Sequence, residues 1–557
     1  MGMPSWLENI VFYEIYPQTF LDTDGDGIGN IQGIIRKLDY IKNLGCDGIW
    51  LNPCFASPFY DAGYDVADYK KVAPRYGTNE DLKELFRKAH EKGMKVLLDL
   101  VPGHTSTDHE WFRESCKAEK NEYTDRYVWT DDIWDDFKDV GSITGSIRGF
   151  SDRNGCCAVN FFSVQPALNF GFARCDKEWQ QPMDAPGPMA TREAMKDVMR
   201  FWMSMGCDGF RVDMAGSLVK NDDDQEGTIA LWQDFRKFMD EEFPECALLS
   251  EWGEPGHSLR GGFHMDFLLH FGPSHYLDLF RVEEPYFSRR GKGDISEFVK
   301  TYEENYAATN REGLICIPSG NHDMVRIKET LDDEEIKIAF AFLLSVPGAP
   351  FIYYGDEIGM KYLSGIKSVE GGFNRTGSRS PMQWDHSANA GFSSCKPEEL
   401  YIQIDPDEDR PTAEDALAGK NSLYDEVKKL IAVRKEHQAL QNTAPMEFVY
   451  VKESAYPLVY KRTGKDETIY IVLNPSGQDV ECDAQIPQHA QSVYSNNGEA
   501  AYADGKWKVP AASATFFKSR KLKKPQKRKQ DFRLLPVLLC YKILLRNVLN
   551  RSLLSVW

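Results

Sequence analysis

The chain has no long hydrophobic run, and its cysteines follow no recognisable pattern. No stretch of 18 uninterrupted apolar residues occurs in the 557 residues, so no membrane-spanning helix is predicted. The N-terminus lacks the charged leader and apolar stretch of a signal peptide. The twelve cysteines have no zinc-ligand spacing and do not suggest a disulfide framework. These absences predict a cytoplasmic protein without a spanning segment.

Positive charge is also scarce over most of the chain. The 66 Lys and Arg residues stand against 85 Asp and Glu, a net charge of −19, which argues against nucleic acid as the main partner. Residues 519–557 differ, with eleven basic residues and one acid, leaving 55 basic and 84 acidic residues before Ser519. We predict that 519–557 form a basic tail that is not packed. A surface-anchoring amphipathic segment is the alternative.

Short β-rich runs alternate with amphipathic helical stretches up to residue 437, a pattern typical of parallel βα units. Strands are predicted at residues 11–20, 48–54, 94–100, 208–214, 247–251, 263–271, 314–319 and 350–354. Helices are predicted at 31–44, 79–92 with Asn79 as N-cap, 191–205, 228–243, 336–345 and 422–437. Residues 104–169 break this rhythm, and four short strands, at 447–452, 456–461, 468–473 and 513–518, follow residue 441.

Three acidic segments coincide with ends of predicted strands. Gly-Phe-Arg-Val-Asp ends at Asp213, Leu-Leu-Ser-Glu-Trp contains Glu251, and Pro-Ser-Gly-Asn-His-Asp ends at Asp323. A parallel barrel brings the carboxyl ends of its strands to one mouth, so we expect these three carboxylates to lie close together. Arg211 stands two residues before Asp213 and shares its side of the strand, where its charge would keep Asp213 ionised.

These segments resemble the signature regions of the α-amylase family, glycoside hydrolase family 13. Residues 22–30, 61–65 and 380–384 also match, and the resemblance covers about residues 10–518. It is strongest to the branch with oligo-1,6-glucosidases, α-glucosidases and trehalose-forming relatives. It implies a (β/α)8 TIM barrel at residues 1–103 and 170–440, a B domain at 104–169 inserted after strand 3, and a C-terminal antiparallel β-domain at 441–518.

The resemblance implies catalytic roles for the three carboxylates. Retaining glycosidases use two carboxyl groups that flank the scissile bond. Asp213 would be the nucleophile and Glu251 the acid/base, whose pKa must be raised to hold a proton near neutrality. Asp323 would bind sugar hydroxyls and favour the oxocarbenium-like transition state. The chain is therefore predicted to be a glycosidase.

The resemblance also implies a subsite for the sugar that is cleaved off. Its residues would be Asp61, Tyr64, His104, Arg211, His322 and Arg379. An ion pair between Asp61 and Arg379 would close the pocket behind this sugar and restrict cleavage to chain ends. Arg375 is close in sequence and is the alternative partner of Asp61.

One calcium ion is expected near the first strand. Alternating aspartates followed by Gly27 are spaced like the start of an EF-hand loop, although Gly33 stands where the twelfth-position glutamate would be. The spacing resembles the calcium loop after strand 1 in the branch. The implied ligands of one structural Ca²⁺ are Asp22, Asp24, Asp26, the Ile28 carbonyl and Asn30.

Three positions depart from the family pattern. Gly103 replaces a common asparagine that ligates a second calcium in many α-amylases, Ala167 replaces a common aspartate, and Met214 follows the predicted nucleophile. We therefore predict a retaining α-glucosidase of short oligosaccharides that forms a covalent glucosyl-enzyme intermediate. The alternatives are an α-amylase on longer malto-oligosaccharides and a trehalose- or sucrose-type transglucosylase or isomerase. A non-catalytic transporter partner fits less well, because the carboxylates are present.

Overall fold

The computed structural model describes residues 2–149, 151–309 and 312–520. Its centre is a sheet of eight parallel strands: β1 Phe12–Ile15, β2 Gly48–Leu51, β3 Lys95–Leu100, β4 Gly209–Val212, β5 Ala247–Ser250, β6 Met265–Phe267, β7 Leu314–Cys316 and β8 Phe351–Tyr353. Each strand lies beside its neighbour in sequence, and β8 pairs with β1. The ring is completed where the Ser319 N–H donates to the Phe351 carbonyl at 3.0 Å. The predicted barrel is confirmed.

Helices cover the outside of the barrel, as expected for parallel βα units. They span Ile31–Arg36, Leu38–Leu44, Asn79–Glu91, Pro186–Met205, Glu226–Glu242, Pro255–Arg260, Tyr276–Phe280, Ser296–Ala308, Asp333–Leu343, Ala413–Leu417 and Ser422–Glu436. The helix predicted at 31–44 is interrupted at Lys37, whose N–H bonds the Ile34 carbonyl in a 3₁₀-type turn. The predicted N-cap Asn79 is wrong, because Thr78 caps that helix. The Asn79 side chain instead accepts from the Val72 N–H at 2.9 Å.

The barrel strands are shorter than predicted, because the polar residues at their carboxyl ends leave the sheet. Asp213 and Met214 were expected in the strand, yet β4 ends at Val212 and Met214 has a positive φ of 45°. Inside the barrel, the rings of Trp50, Phe267 and Phe351 form a contacting aromatic layer with centroids 4.8–6.2 Å apart. The strand ends above this layer are thereby free to present polar side chains.

The chain between β3 and the helix Pro186–Met205 forms a small excursion. It contains the helix Glu110–Ser115 and an antiparallel pair of strands, Gly145–Arg148 and Cys156–Val159. Its own apolar cluster includes Val128, Phe137 and Phe172. Cys156 and Cys157 are buried in the second of these strands, and no cysteine of the described residues forms a disulfide.

After the barrel, antiparallel strands form the predicted C-terminal β-domain. A five-stranded sheet orders Met446–Tyr450, Leu458–Thr463, Glu467–Asn474, Ser513–Arg520 and Gln491–Asn496. A three-stranded sheet contains Val480–Cys482, Lys506–Val509 and Ala501–Ala503. Four of these strands were not predicted. Across the described residues, no helix is long and apolar enough to cross a membrane. The domain boundaries stay predictions, and residues 521–557 of the predicted tail lie outside the described residues.

Candidate active site

A cavity of about 840 Å³ opens at the carboxyl ends of the barrel strands. Its wall takes residues from the segments that follow β4, β5, β6 and β7. Six predicted site residues line it: Asp61, Tyr64, His104, Asp213, Glu251 and Asp323. The other three sugar-site candidates, Arg211, His322 and Arg379, are buried directly behind these residues and bond to them.

A single guanidinium gathers three carboxylates at the base of the cavity. Arg211 Nη1 lies 2.9 Å from Asp99 Oδ1 and 3.1 Å from Asp213 Oδ1, and its Nη2 lies 2.8 Å from Glu251 Oε2. The guanidinium carbon is 5.0 Å from the centroid of the Trp50 ring in the barrel layer below. Asp99 was not among the predicted residues. It is the only acid within the apolar run of β3, and that signal would have identified it.

One cation does not neutralise three buried carboxylates. Burial and the neighbouring Glu251 carboxylate raise the pKa of Asp213 well above its ordinary value, although Arg211 lowers it. Burial likewise raises the pKa of Asp99 to about 6 against the effect of Arg211. The expectation that Arg211 keeps Asp213 ionised stays a prediction, because Arg211 lowers this pKa while burial and Glu251 raise it. Burial thus favours the protonated forms of Asp99 and Asp213, and Arg211 opposes this effect.

Asp323 has the opposite electrostatic environment. Its Oδ1 lies 2.8 Å from Arg375 Nη1 and 2.9 Å from Arg379 Nη2, and its Oδ2 lies 3.3 Å from His322 Nε2. Burial acts to raise the pKa of Asp323, but these neighbours hold it well below its ordinary value. Asp323 is therefore ionised at neutral pH, ready to face developing positive charge.

The predicted ion pair between Asp61 and Arg379 is wrong, and the alternative forms. Arg375 Nη2 lies 3.4 Å from Asp61 Oδ1, while Gln165 donates to Asp61 Oδ2 at 2.8 Å. Arg379 is buried beside Asp323 and donates from Nε to the His322 carbonyl at 2.8 Å. Its guanidinium therefore bonds to these residues instead of Asp61. Burial raises the pKa of Asp61 to about 7, although Arg375 lowers it.

The predicted aromatic and histidine contacts form one buried network. The Tyr64 ring stacks on the His322 ring with centroids 5.3 Å apart, and the Tyr64 hydroxyl donates to Asp99 Oδ2 at 2.9 Å. His322 Nδ1 lies 2.9 Å from Glu14 Oε1, and Glu14 was not predicted either. Burial lowers the pKa of His322 well below its ordinary value, which makes the ring neutral. A sugar contact of Tyr64 and His322 stays a prediction.

His104 is held by two protein partners. Its Nε2 lies 3.0 Å from the Tyr64 carbonyl, and its Nδ1 accepts from Asn160 Nδ2 at 3.0 Å. Gly103 makes room for this arrangement, since a Cβ at that position would lie 2.6 Å from Asn160 Nδ2. Burial lowers the pKa of His104 to about 4. A sugar hydrogen bond to either ring nitrogen would have to displace or share one of these partners.

Aromatic side chains at the cavity mouth were not predicted. Phe161 and Phe162 come from the excursion after β3, and Phe373 comes from the segment after β8. The Phe162 ring centroid lies 4.6 Å from that of Phe161 and 6.4 Å from that of Phe373. Phe161 is 45% exposed and Phe373 is 68% exposed, so both present apolar surface to an incoming ligand. They lie in irregular segments, where no periodicity indicates the direction of a side chain.

The predicted calcium loop is a tight turn near the end of β1. Asp22 accepts from the N–H groups of Asp24, Gly25 and Gly27, each at 2.8 Å, and Asn30 caps the following helix. The donor types suit calcium, because all are hard oxygens. However, within the described parts of the chain no three His, Cys, Asp or Glu side chains are arranged to hold a metal. Asp24 and Asp26 are exposed, and the site stays a prediction.

Comparison with known proteins gives consistent results. The family profile described as alpha amylase, catalytic domain, matches residues 14–443. A trehalose synthase/amylase of Mycobacterium tuberculosis is 32% identical over 538 residues, covering 86% of this chain and 84% of the relative. An oligo-1,6-glucosidase of Halalkalibacterium halodurans is 30% identical, covering 87% and 93%. The crystal structure of a trehalulose synthase from Pseudomonas mesoacidophila superposes with a TM-score of 0.76 at 26% identity, covering 94% and 100%.

Arg211→Met should destabilise the protein increasingly as pH rises. Asp99 and Asp213 have folded pKa values above those of unfolded aspartate, so the stability that their protonated forms contribute is present below about pH 4 and is lost as pH rises through the folded values. Without Arg211 these pKa values rise further and the loss extends to higher pH. We expect a cost of about 3–5 kcal/mol at neutrality, because removing one member of a buried ion pair strands the other.

Thermal denaturation at pH 5 and pH 8 measures this effect. The difference in melting temperature between the parent and Arg211→Met should widen at pH 8. The control is Arg87→Met on the exposed face of the helix Asn79–Glu91, which should shift little at either pH. A difference that narrows at pH 8 would contradict the charge assignment.

Proposed function

The chain belongs to the α-amylase family of glycoside hydrolases and is a glycosidase, and we propose that it hydrolyses α-glucosidic bonds of short oligosaccharides with retention. The observation that carries this proposal is the joint contact of Asp213 and Glu251 with the Arg211 guanidinium at one cavity wall. Retention requires two carboxyl groups close enough to act on one anomeric carbon. Two carboxylates bound to the same side chain meet that requirement.

The chemistry follows from how the charges are distributed. Asp213 attacks the anomeric carbon while Glu251 gives its proton to the leaving oxygen, and Glu251 then activates water for the second step. We assign to Glu251 the proton that this step requires, and sugar binding must leave Asp213 as the ionised member. Ionised Asp323 offsets the positive charge that develops on the ring.

Cleavage from the non-reducing end is the proposed mode. Arg375 joins Asp61 to Asp323, two carboxylates that line the same cavity. Such a bridge would block the path of a chain beyond the first sugar. The oligo-1,6-glucosidase similarity supports the same conclusion.

Transfer or isomerisation is the second candidate function. It is favoured by the similarity to a trehalose synthase/amylase and to a trehalulose synthase. The apolar rim of Phe161, Phe162 and Phe373 could retain the released sugar near the glucosyl-enzyme and exclude water. Hydrolysis and transfer share one intermediate, so a rim of this kind decides between them. An α-amylase on longer malto-oligosaccharides is the third candidate.

A cytoplasmic location is also proposed. It is supported by the unpaired state of the eleven cysteines in the described ranges, eight of which are buried. Thiols of this kind persist in reducing compartments.

A substrate panel tests the proposed activity. Maltose, isomaltose, trehalose, sucrose and maltoheptaose are incubated separately, and the products are identified over time. We expect early release of glucose from the short substrates, since a closed pocket admits one terminal sugar. Early mixed oligosaccharides from maltoheptaose would instead establish the amylase, and a rearranged disaccharide with little glucose would establish the isomerase.

Asp213→Asn should remove turnover. Loss of a catalytic nucleophile is expected to lower kcat/KM by at least about 10³-fold on the best substrate of the panel. The matched control is Asp197→Asn, an exposed residue of the helix Pro186–Met205 that pairs with Lys70. It should retain activity within about threefold. Unchanged hydrolysis by Asp213→Asn, with the fold intact by melting temperature, would reject the proposed nucleophile.

We also propose one structural Ca²⁺ at the loop of residues 22–30, where Asp24 and Asp26 are exposed. Millimolar Ca²⁺ should raise the melting temperature by about 2–6 °C over chelator, since a ligand that binds only the folded state stabilises it. Mg²⁺ should act less, because it prefers a rigid octahedral site. The double substitution Asp24→Ser and Asp26→Ser should abolish the increase, whereas Asp39→Ser, an exposed control, should not. Equal melting temperatures with Ca²⁺ and chelator would reject the site.

A further inference from the structure

Asp266 is a buried carboxylate that does not line the cavity but bonds to the chain on both sides of Glu251. It lies on β6, next to β5 in the barrel. Its Oδ1 accepts from the Ser250 hydroxyl at 2.7 Å and from the backbone N–H groups of Trp252 and Gly253 at 3.1 and 3.3 Å. One oxygen atom therefore contacts the residue before Glu251 and the two residues after it.

This contact matters because the sheet gives little support after Glu251. The last ladder bond runs from the Glu251 N–H to the Val212 carbonyl at 2.9 Å. Gly253 then adopts a positive φ of 77°, which turns the chain away from the strand direction. Trp252 and Gly253 are buried, so their N–H groups need an acceptor from the protein. Asp266 supplies it.

The Glu251 side chain is held by a separate set of contacts. Its Oε2 accepts from the Met214 N–H at 3.1 Å and from Arg211 Nη2 at 2.8 Å. Both of these contacts come from β4 and the residues that follow it. The carboxyl group of Glu251 is therefore positioned by both strands that neighbour β5. The β4 strand and the residues after it hold the side chain and the backbone of Glu251, and β6 holds the residues on either side of it.

The donors around Asp266 favour its charged form. Burial raises the pKa of Asp266 to about 7, while the Ser250 hydroxyl and the Trp252 and Gly253 N–H groups lower it. An apolar side chain at such a buried position would have no desolvation penalty. The carboxylate is therefore explained by the hydrogen-bond donors that it accepts from.

We propose that Asp266 is the positioning residue of the general acid: it fixes the backbone on both sides of Glu251 so that the Glu251 carboxyl meets the glycosidic oxygen. This inference rests on the proposed function. A small displacement of an acid from hydrogen-bond distance strongly lowers the rate of proton transfer. Loss of the Asp266 acceptor should therefore slow proton donation and leave sugar binding little changed.

The test compares two substrates that differ in their need for a proton. The fluoride of α-glucosyl fluoride departs with little acid assistance. The sugar released from a disaccharide requires acid assistance, and the disaccharide used is maltose or isomaltose, whichever is the better substrate in the panel. kcat/KM reports the steps up to formation of the glucosyl-enzyme. Asp266→Ala should lower kcat/KM on the disaccharide by about 10²-fold and on the fluoride by less than about threefold. Asp266→Asn, which retains the Oδ1 acceptor, should restore the disaccharide value to within about fivefold of the parent.

Two controls separate this role from a structural one. Asp356→Ala removes another buried carboxylate, which accepts from Ser319 at 2.8 Å and pairs with Arg326 at 3.1 Å, and should affect both substrates by the same factor. Glu251→Gln removes the acid itself and should show the same substrate contrast as Asp266→Ala, but larger. If Asp266→Ala fails to fold by its melting temperature, Ser250→Ala takes its place and should show the contrast at smaller size.

The outcomes are distinct. Equal losses on both substrates in Asp266→Ala or its replacement, or no loss on either, would overturn the positioning role while Glu251→Gln keeps its contrast. Absence of the contrast in Glu251→Gln would reject Glu251 as the acid, and both proposals would then fall.

Discussion

The candidate site depends on one buried guanidinium. Arg211 touches Asp99, Asp213 and Glu251, and it lies above the aromatic layer that fills the barrel. A fixed cation at this place offsets part of the desolvation penalty of the acidic groups around the cavity. One positive charge does not, however, balance three carboxylates. Burial raises the pKa values of Asp99 and Asp213, and the proposed retaining mechanism needs one carboxyl group protonated and one ionised.

On the side of the cavity that carries Asp323 and Asp61, two arginines match two carboxylates. Asp323 has two arginines within hydrogen-bond distance, and Arg375 also reaches Asp61. Consequently these neighbours hold the pKa of Asp323 well below its ordinary value, whereas burial raises the pKa of Asp213, although both are aspartates that follow barrel strands. The fold thus produces two electrostatic environments from one residue type, by placing the arginines unequally between β4 and the segment after β8.

The barrel strands and the carboxylates at their ends were predicted well, whereas side-chain partners and irregular segments were not. The eight strands and the cavity position of Asp213, Glu251 and Asp323 follow from hydrophobic patterning and from the rule that parallel strands end at one face. The partner of Asp61 was mistaken because Arg375 and Arg379 lie within or just after the short 3₁₀ segment Phe373–Ser378, where spacing does not specify direction. Asp99 and Asp266 were missed for another reason. Both stand inside strands, and their contacts with the site are made to partners that are distant in sequence.

The access of water to the glucosyl-enzyme would determine which reaction follows its formation. In the proposed mechanism the carboxylates generate the same glucosyl-enzyme whether water or a sugar attacks it, so they do not decide between hydrolysis and transfer. We infer that the cavity mouth influences this choice, since Phe161 and Phe373 present exposed apolar surface there from two separate segments. An apolar rim holds a sugar by its hydrophobic face and offers water no hydrogen bonds. We therefore expect the balance between the two reactions to depend on residues outside the barrel strands.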